Sequence, residues 1–148
     1  MTGANSPVTP QFVLDSYAVL AFLEGEPCAG RVRELLQQGE DGGCQLFIGV
    51  INYGEVIYIT ERERGLSKTQ EVIARMDELP FSIMDADRAL AVRAAHIKAR
   101  WAMAYADCFA AALAIILGAP LVTGDPEFRP LESAHILSID WLNRGGRA

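Results

Sequence analysis

Residues 105–128 read YADCFAAALAIILGAPLVTGDPEF, and this stretch decides the fold. Asp107 opens a helical run in which Phe109, Leu113, Ile116 and Leu117 recur at helical spacing. Ala110, Ala111 and Ala114 give another face small enough for close packing. Gly118 suits the residue after a helix, and Pro120 forbids continuation. Residues 120–123, PLVT, read as a short buried strand, and Asp125 follows in the turn signal Gly-Asp-Pro. One carboxylate therefore stands at a helix start and another just past a strand's C-terminal end, with a buried helix between them. In an open α/β sheet such strand ends form the ligand crevice.

The same pattern recurs upstream. Residues 12–14, FVL, read as a buried strand ending at Asp15. Ser16 is the expected cap of a helix that buries Ala18, Val19, Leu20, Phe22 and Leu23 and stops at Gly25-Glu-Pro27. A second helix is expected over about 29–38 and a loop over 39–43. Residues 45–48, QLFI, form the next expected strand, which passes through Gly49 into VINYGEVIYIT. That run is apolar nearly all round except at Asn52 and Glu55, which lie three apart and share a helix face. A glutamate in so apolar a helix calls for a partner, because burying an isolated ionised carboxylate is very costly. Gly65 ends this helix, and Ser67 is the expected cap of another running to about 79.

Residues 81–84, FSIM, form a third strand. Asp85 is the expected cap of the following helix, with Leu90, Val92 and Ile97 inward and His96 at the surface or its boundary. Arg129-Pro130 marks a loop, and residues 135–139, HILSI, read as a last strand, with Trp141 and Leu142 covering a core edge. The order β-α-α-β-α-α-β-α-α-β-β predicts an α/β fold, a mostly parallel sheet with helices on both faces. Residues 1–10 read as a loose polar tail, 11–142 as one domain and 143–148 as a polar C-terminal tail.

A chain of 148 residues that is 51% hydrophobic can bury a real core as one domain. A formal charge of −6 argues against a general nucleic-acid-binding surface but leaves room for local basic tracks. Arg62, Arg64 and Lys68 cluster, as do Arg93, Lys98 and Arg100; they read as solvated helix faces or as phosphate contacts. Cys28, Cys44 and Cys108 are odd in number and lack Cys-x-x-Cys spacing, which fits reduced thiols in a cytosolic protein. No basic segment followed by an apolar run marks a secretory signal. The apolar run after Asp107 is too short to span a membrane before Gly118 and Pro120 interrupt it.

Four carboxylates stand out against apolar surroundings: Asp15, Glu55, Asp107 and Asp125. Two carboxylates ~5 Å apart at an effective dielectric of ~20 repel by roughly 3 kcal/mol. Four facing one crevice cannot all stay ionised uncompensated, so either some are protonated or cations fill the space. Oxygen ligands in that number suit Mg²⁺ or Mn²⁺, and the lack of suitably spaced His and Cys argues against zinc. Such a site points to phosphoryl chemistry, in which metal ions activate water and clamp the attacking and leaving oxygens. Ser16, Asn52 and Thr123 would orient the carboxylates. Taken singly, Asp15 and Asp107 also suit helix starts and Asp125 suits a turn; Glu55 is the hardest to explain by structure alone.

The chain resembles the PIN-domain family, and within it the VapC-type toxins of bacterial toxin–antitoxin pairs. FVLDSYAVLAFLEGEP is similar to the family's first motif, INYGEV to its second, and YADCFAAALAIILGAPLVTGDPEF to its third and fourth. Together, in order, they cover nearly the whole chain. The resemblance implies a three-layer α/β/α domain and a Mg²⁺- or Mn²⁺-dependent endoribonuclease. It implies Asp15, Glu55, Asp107 and Asp125 as acidic metal-site residues, with Ser16, Asn52 and Thr123 in support. Related sequences often carry a further acid two positions after the fourth, where this chain has Glu127, one methylene longer than the usual Asp. A homodimer and a VapB-like antitoxin whose C-terminal segment blocks the acidic groove are also implied; Leu20, Phe22, Leu23 and residues 56–59 could offer that groove.

Two readings from other classes compete. One is a PIN-like module that binds RNA or a protein without cutting; the presence of all four acids counts against it. The other is an aspartyl-phosphate phosphatase or a phospho-receiver domain. The phosphatase usually pairs its nucleophile with a second Asp two residues on, where Tyr17 stands, and both want a lysine after a strand. Lys68 and Lys98 are the only lysines, and neither follows one.

Overall fold

The computed structural model describes residues 8–142. Most of both expected tails, residues 1–7 and 143–148, lies outside the described residues. Five strands form one sheet: β1 (Gln11–Leu14), β2 (Gln45–Gly49), β3 (Phe81–Met84), β4 (Leu121–Thr123) and β5 (Ile139–Trp141). Their spatial order is β3-β2-β1-β4-β5, and every pairing is parallel. The helices are α1 (Ser16–Leu23), α2 (Gly30–Glu40), α3 (Val50–Arg64), α4 (Leu66–Glu78), α5 (Arg88–Arg100), α6 (Tyr105–Leu117) and a single turn, α7 (Arg129–Ser133).

The alternation of side chains along a strand builds two cores, one on each face of the sheet. Val13 pairs with Leu121, and Leu14 with Val122. Val13 and Leu121 pack with Leu90, Ala94, Ile97 and the buried face of α6. Leu14 and Val122 pack on the opposite face, with Val19, Val32, Leu35, Val56 and Met76 from α1 to α4. Helices on both faces of a parallel sheet give the three-layer α/β/α architecture.

Helix α6 is buried almost all round. Ala110, Ala111, Ala112 and Ala114 are fully enclosed, and their small side chains let the helix lie close to its neighbours at the lowest helix-forming cost of any residue. Ile116, one of the apolar residues at helical spacing, is 46% exposed, on the outer face. Gly118 takes a left-handed conformation (φ 64°), which lets its N–H donate to Ile115 and the Ala119 N–H to Ala114. A side chain there would meet the left-handed strain that glycine avoids. The chain thus turns sharply from α6 into β4, fixing the distance between Asp107 and Asp125.

Several expected boundaries move. Asp15, not Ser16, caps α1: its Oδ1 accepts from the Ala18 N–H at 2.9 Å. Asp87, not Asp85, caps α5, because its Oδ1 reaches the Leu90 N–H at 2.9 Å. Gly65 alone separates α3 from α4, so Ser67 lies inside the first turn. Helix α2 continues through Gly39 to Glu40, shortening the expected loop. Val92 faces outward on α5. Arg129 and Pro130 begin α7, since proline is accepted in a helix's first turn. The exit from α7 consumes His135 and Ile136, whose N–H groups donate back to Glu132 and Leu131, so β5 starts at Ile139 rather than at His135.

Candidate active site

The chain leaves β1 for β2 on one side, and β4 later enters on the other. This reversal opens a crevice at the C-terminal ends of β1 and β4. Asp15 follows β1 directly, Thr123 ends β4, and Asp125 lies two residues on. Asp107 enters from the first turn of α6, and Glu55 from the second turn of α3.

Hydrogen bonds tie these side chains into two groups. The Thr123 hydroxyl donates to Asp15 Oδ2 and accepts the Asp125 N–H at 3.0 Å, linking the ends of β1 and β4. Both Asp15 oxygens are thereby engaged, one in capping and one with Thr123, yet each keeps a lone pair for a ligand. Asp125 Oδ1 accepts the Glu127 N–H at 3.0 Å and shapes the short 3-10 turn Pro126–Phe128. In the second group, Ser16 Oγ donates to Glu55 Oε1 at 2.8 Å, and Asn52 Nδ2 donates to the same oxygen at 3.3 Å. Asn52 Nδ2 also reaches the Ala106 carbonyl at 3.2 Å, fastening α3 to the turn that carries Asp107. Asn52 is fully buried, and its Oδ1 has no hydrogen-bond partner.

Asp107, Asp125 and Glu127 converge: one carboxylate oxygen from each lies within 4.8 Å of the others. Asp15 and Glu55 stand outside that trio but within its field. Burial pushes the Asp15 carboxyl up to about 7 against the opposing bonds from Thr123 and Ala18, with repulsion from Asp107 and Asp125 adding to the rise. Asp107 is also raised to about 7, first by burial, then by repulsion from Asp125, Glu55 and Glu127 and by a hydrogen bond with Glu127. The positive end of the α6 dipole favours an ionised Asp107, but these effects outweigh it.

Among the described residues no positive side chain is paired with these acids: the ion pairs are Arg31–Glu34, Arg31–Asp140, Arg64–Glu24 and Lys68–Glu71, and none includes a crevice acid. The donors that do reach the acids are hydroxyls and amides. An all-oxygen set of clustered carboxylates without a cation of its own fits a hard divalent ion. Asp107, Asp125 and Glu127 are the residues placed to hold one together.

A family model described as PIN domain matches residues 12–132. This chain belongs to the PIN-domain family. Solved structures with similar folds include VapBC2 from Rickettsia felis bound to a promoter DNA fragment, at 15% identity and TM-score 0.71, covering 90% of this chain and 99% of that one. DNA-bound VapBC from Salmonella typhimurium matches at 20% identity and TM-score 0.68, covering 88% and 97%. Mycobacterium tuberculosis VapC20, described as a Sarcin-Ricin loop cleaving toxin, matches at 14% identity and TM-score 0.61, covering 80% and 93%. No curated protein matches the chain.

The PIN fold brings all eight sequence-derived candidates to one end of the sheet: seven fall in the two bonded groups described, and Asp107 joins them through the carboxylate trio. Glu127, the least certain from sequence, lies in the tightest cluster. Two features escaped the sequence reading. The Ala106 carbonyl takes part through its backbone, which residue type does not reveal. Gly124 lies against the Tyr17 ring so closely that a Cβ there would fall 2.4 Å from Cε1. A glycine between Thr123 and Asp125 was the available signal, hidden because glycine also suits any turn.

Proposed function

We propose that this PIN-domain protein is a divalent-metal-dependent endoribonuclease of the VapC type, hydrolysing RNA phosphodiester bonds with Mg²⁺ or Mn²⁺. The observation that carries this reading is the acid cluster without a balancing cation among the described residues. Asp107, Asp125 and Glu127 converge, and Asp15 and Asp107 are raised to about 7. A fold would not accumulate such repulsion for stability alone. Burying unpaired charge destabilises, whereas a cation binding there stabilises through the same residues.

A divalent cation bound there supplies charge neutralisation at the phosphate and a more acidic water as nucleophile. The chain's own residues hold and orient. Asp107, Asp125 and Glu127 would provide the main oxygen ligands. Thr123 holds Asp15 Oδ2, while Ser16 and Asn52 hold Glu55 Oε1, so neither carboxylate swings freely during a turnover. Of the basic residues expected near phosphates, Arg64 and Lys68 are already paired with Glu24 and Glu71, the Arg62 guanidinium lies over the Tyr58 ring, and the Lys98 ammonium donates to the Met103 carbonyl. Arg93 and Arg100 are exposed and remain candidates to position RNA.

The reading extends to a cytosolic homodimer and to a VapB-like antitoxin; the antitoxin is supported by the VapBC complexes that share the fold. No helix among the described residues is long and apolar enough to cross a membrane. Leu20, Phe22, Leu23 and Ile57 are partly buried against the core, Tyr58 is exposed and Val56 is fully buried; the candidate groove for an antitoxin segment is the cavity that Leu20 and Leu23 line with Glu24, Arg64 and Lys68.

The test is cleavage of a mixed, labelled RNA pool by purified protein with Mg²⁺, with Mn²⁺ and with EDTA, beside Asp107→Asn. Cleavage that needs both metal and Asp107 is expected. Full activity in folded Asp107→Asn would refute the site. Tight RNA binding with no cleavage under any condition would favour a PIN-like binding module.

A further inference from the structure

Tyr17 is the second residue of α1 and has no part in the bonded groups around the acids. Its neighbours Ser16, Ala18 and Val19 are buried, yet Tyr17 is 37% exposed. Its ring rests on Gly124, where an added Cβ would meet Cε1 at 2.4 Å and Cζ at 3.0 Å. Gly124 stands between Thr123, which bonds Asp15, and Asp125. The ring is therefore seated on the segment that joins two crevice acids. A cavity of about 240 Å³ opens beside it, with Leu20, Ala21 and Cys28 as apolar walls and Glu24 and Glu26 at its edge.

Charge decides what such a surface can bind. The chain carries −6, and no crevice acid has a cationic partner among the described residues. A phosphate is repelled around the crevice except where a divalent ion screens the acids. Arg93 and Arg100, on α5, can meet phosphates, but beside the acids an uncharged contact is the one that adds affinity for a nucleotide without opposing their field. An exposed aromatic ring supplies one, because every base has a face that stacks. Glu26 disfavours phosphate in the adjoining cavity, and Glu24 is already paired with Arg64; a carboxylate oxygen there can accept from the amino group of a base.

We propose that Tyr17 is a substrate-positioning residue, a platform on which a base of single-stranded RNA stacks beside the scissile phosphate, with Gly124 as the seat of its ring. This rests on the endoribonuclease reading.

The test measures binding and cleavage separately. Binding is read in an Asp107→Asn background with a fluorescent single-stranded RNA and with 2-aminopurine scanned along it; cleavage is read in the otherwise unchanged protein. Tyr17→Phe keeps the ring, and Tyr17→Leu keeps apolar cover over Gly124 without a ring. Tyr17→Phe is expected to bind within about twofold of the parent, and Tyr17→Leu to bind roughly 5- to 150-fold more weakly, the range of base–aromatic stacking. Quenching of 2-aminopurine at one position should persist with Phe and vanish with Leu. Gly124→Ala, which unseats the ring without altering Tyr17, should weaken binding in the same direction. Equal affinity of the Leu and Phe variants, alongside normal metal-dependent cleavage by the parent, overturns the platform and leaves the nuclease standing. No RNA binding and no cleavage by the parent overturns both.

Discussion

Metal-free protein should lose stability as pH rises from about 4 to 7, opposite to the behaviour of most carboxylate-bearing folds. Asp15 moves from 3.8 in an ordinary environment to about 7 in the fold. Its folded form therefore binds more protons than the unfolded chain in that interval, and stability falls with pH wherever the folded state holds the extra proton. The contribution is fully present below about 4 and gone above about 7. Each pH unit is worth about 1.4 kcal/mol, so the ionised Asp15 costs the fold on the order of 4 kcal/mol relative to the protonated one. For a domain of this size that is a melting-temperature change of about 10 °C. Asp107 acts in the same direction, by less than its rise suggests because solvent screens it. The assay is thermal unfolding in EDTA at pH 5 and at pH 8, for the native chain and for Asp15→Asn. The asparagine variant stays neutral throughout, so its advantage over the native chain should be small at pH 5 and large at pH 8. Mg²⁺ or Mn²⁺ at pH 8 should recover much of the loss in the native chain and less in the variant. Parallel pH profiles for the two proteins would refute the claim that Asp15 is a desolvated, uncompensated acid.

Three further outcomes follow from the contacts. Thr123→Val removes the donor to Asp15 and leaves the Asp125 N–H without its acceptor; it should cost about 1–3 kcal/mol in denaturant unfolding, the usual penalty for stranded buried polar groups. Gly124→Ala forces a methyl into the Tyr17 ring and should cost about 1–3 kcal/mol as overpacking, with Tyr17→Ala in the same chain restoring most of it; additive losses in the double variant would contradict the close approach. Ser16→Ala frees Glu55 Oε1 from its 2.8 Å bond, and should weaken metal binding by about 10- to 100-fold, as loss of a ligand-orienting partner does, measured by titrating Mn²⁺ into the protein.

Much of the fold was legible because two periodicities rarely lie. Short apolar runs ending in Asp, alternating with helical spacing, predict a parallel sheet, and all five strands exist. Capping was less legible. Asp15-Ser16 offers two capable caps in a row, and sequence cannot say which side chain turns back. Asp15 caps α1 while Ser16 turns outward to Glu55. Asp85 and Asp87 posed the same choice. The last strand slipped because His135 adopts a positive φ of 59°, uncommon for a non-glycine residue and invisible in an apolar pattern. The candidate acids could be picked out by apolar context, since ionised groups there need a reason. Their division into a trio of Asp107, Asp125 and Glu127, with Asp15 and Glu55 at its border, depends on how α6 and the turn after β4 meet in space, which residue type does not encode.

The partners chosen for each acid carry the last step. Elsewhere on this chain arginines and a lysine answer acids: Arg31 bridges Glu34 and Asp140, Arg64 meets Glu24, and Lys68 meets Glu71. In the crevice, Asp15 and Glu55 receive a hydroxyl each, an amide and a backbone N–H. Neutral donors orient a carboxylate without cancelling its charge, whereas a lysine or arginine would do both. A site meant only to hold the fold together would gain from the second arrangement, because burying one partner of an absent pair is the costlier state. The first arrangement keeps the field negative and aims it. Introducing a cation of the protein's own, as in Ser16→Lys, should therefore stabilise the metal-free fold at pH 8 while reducing its affinity for Mn²⁺. A variant that gained stability without losing that affinity would show that the crevice acids are held for structure, and the case for a metal site would fail with it.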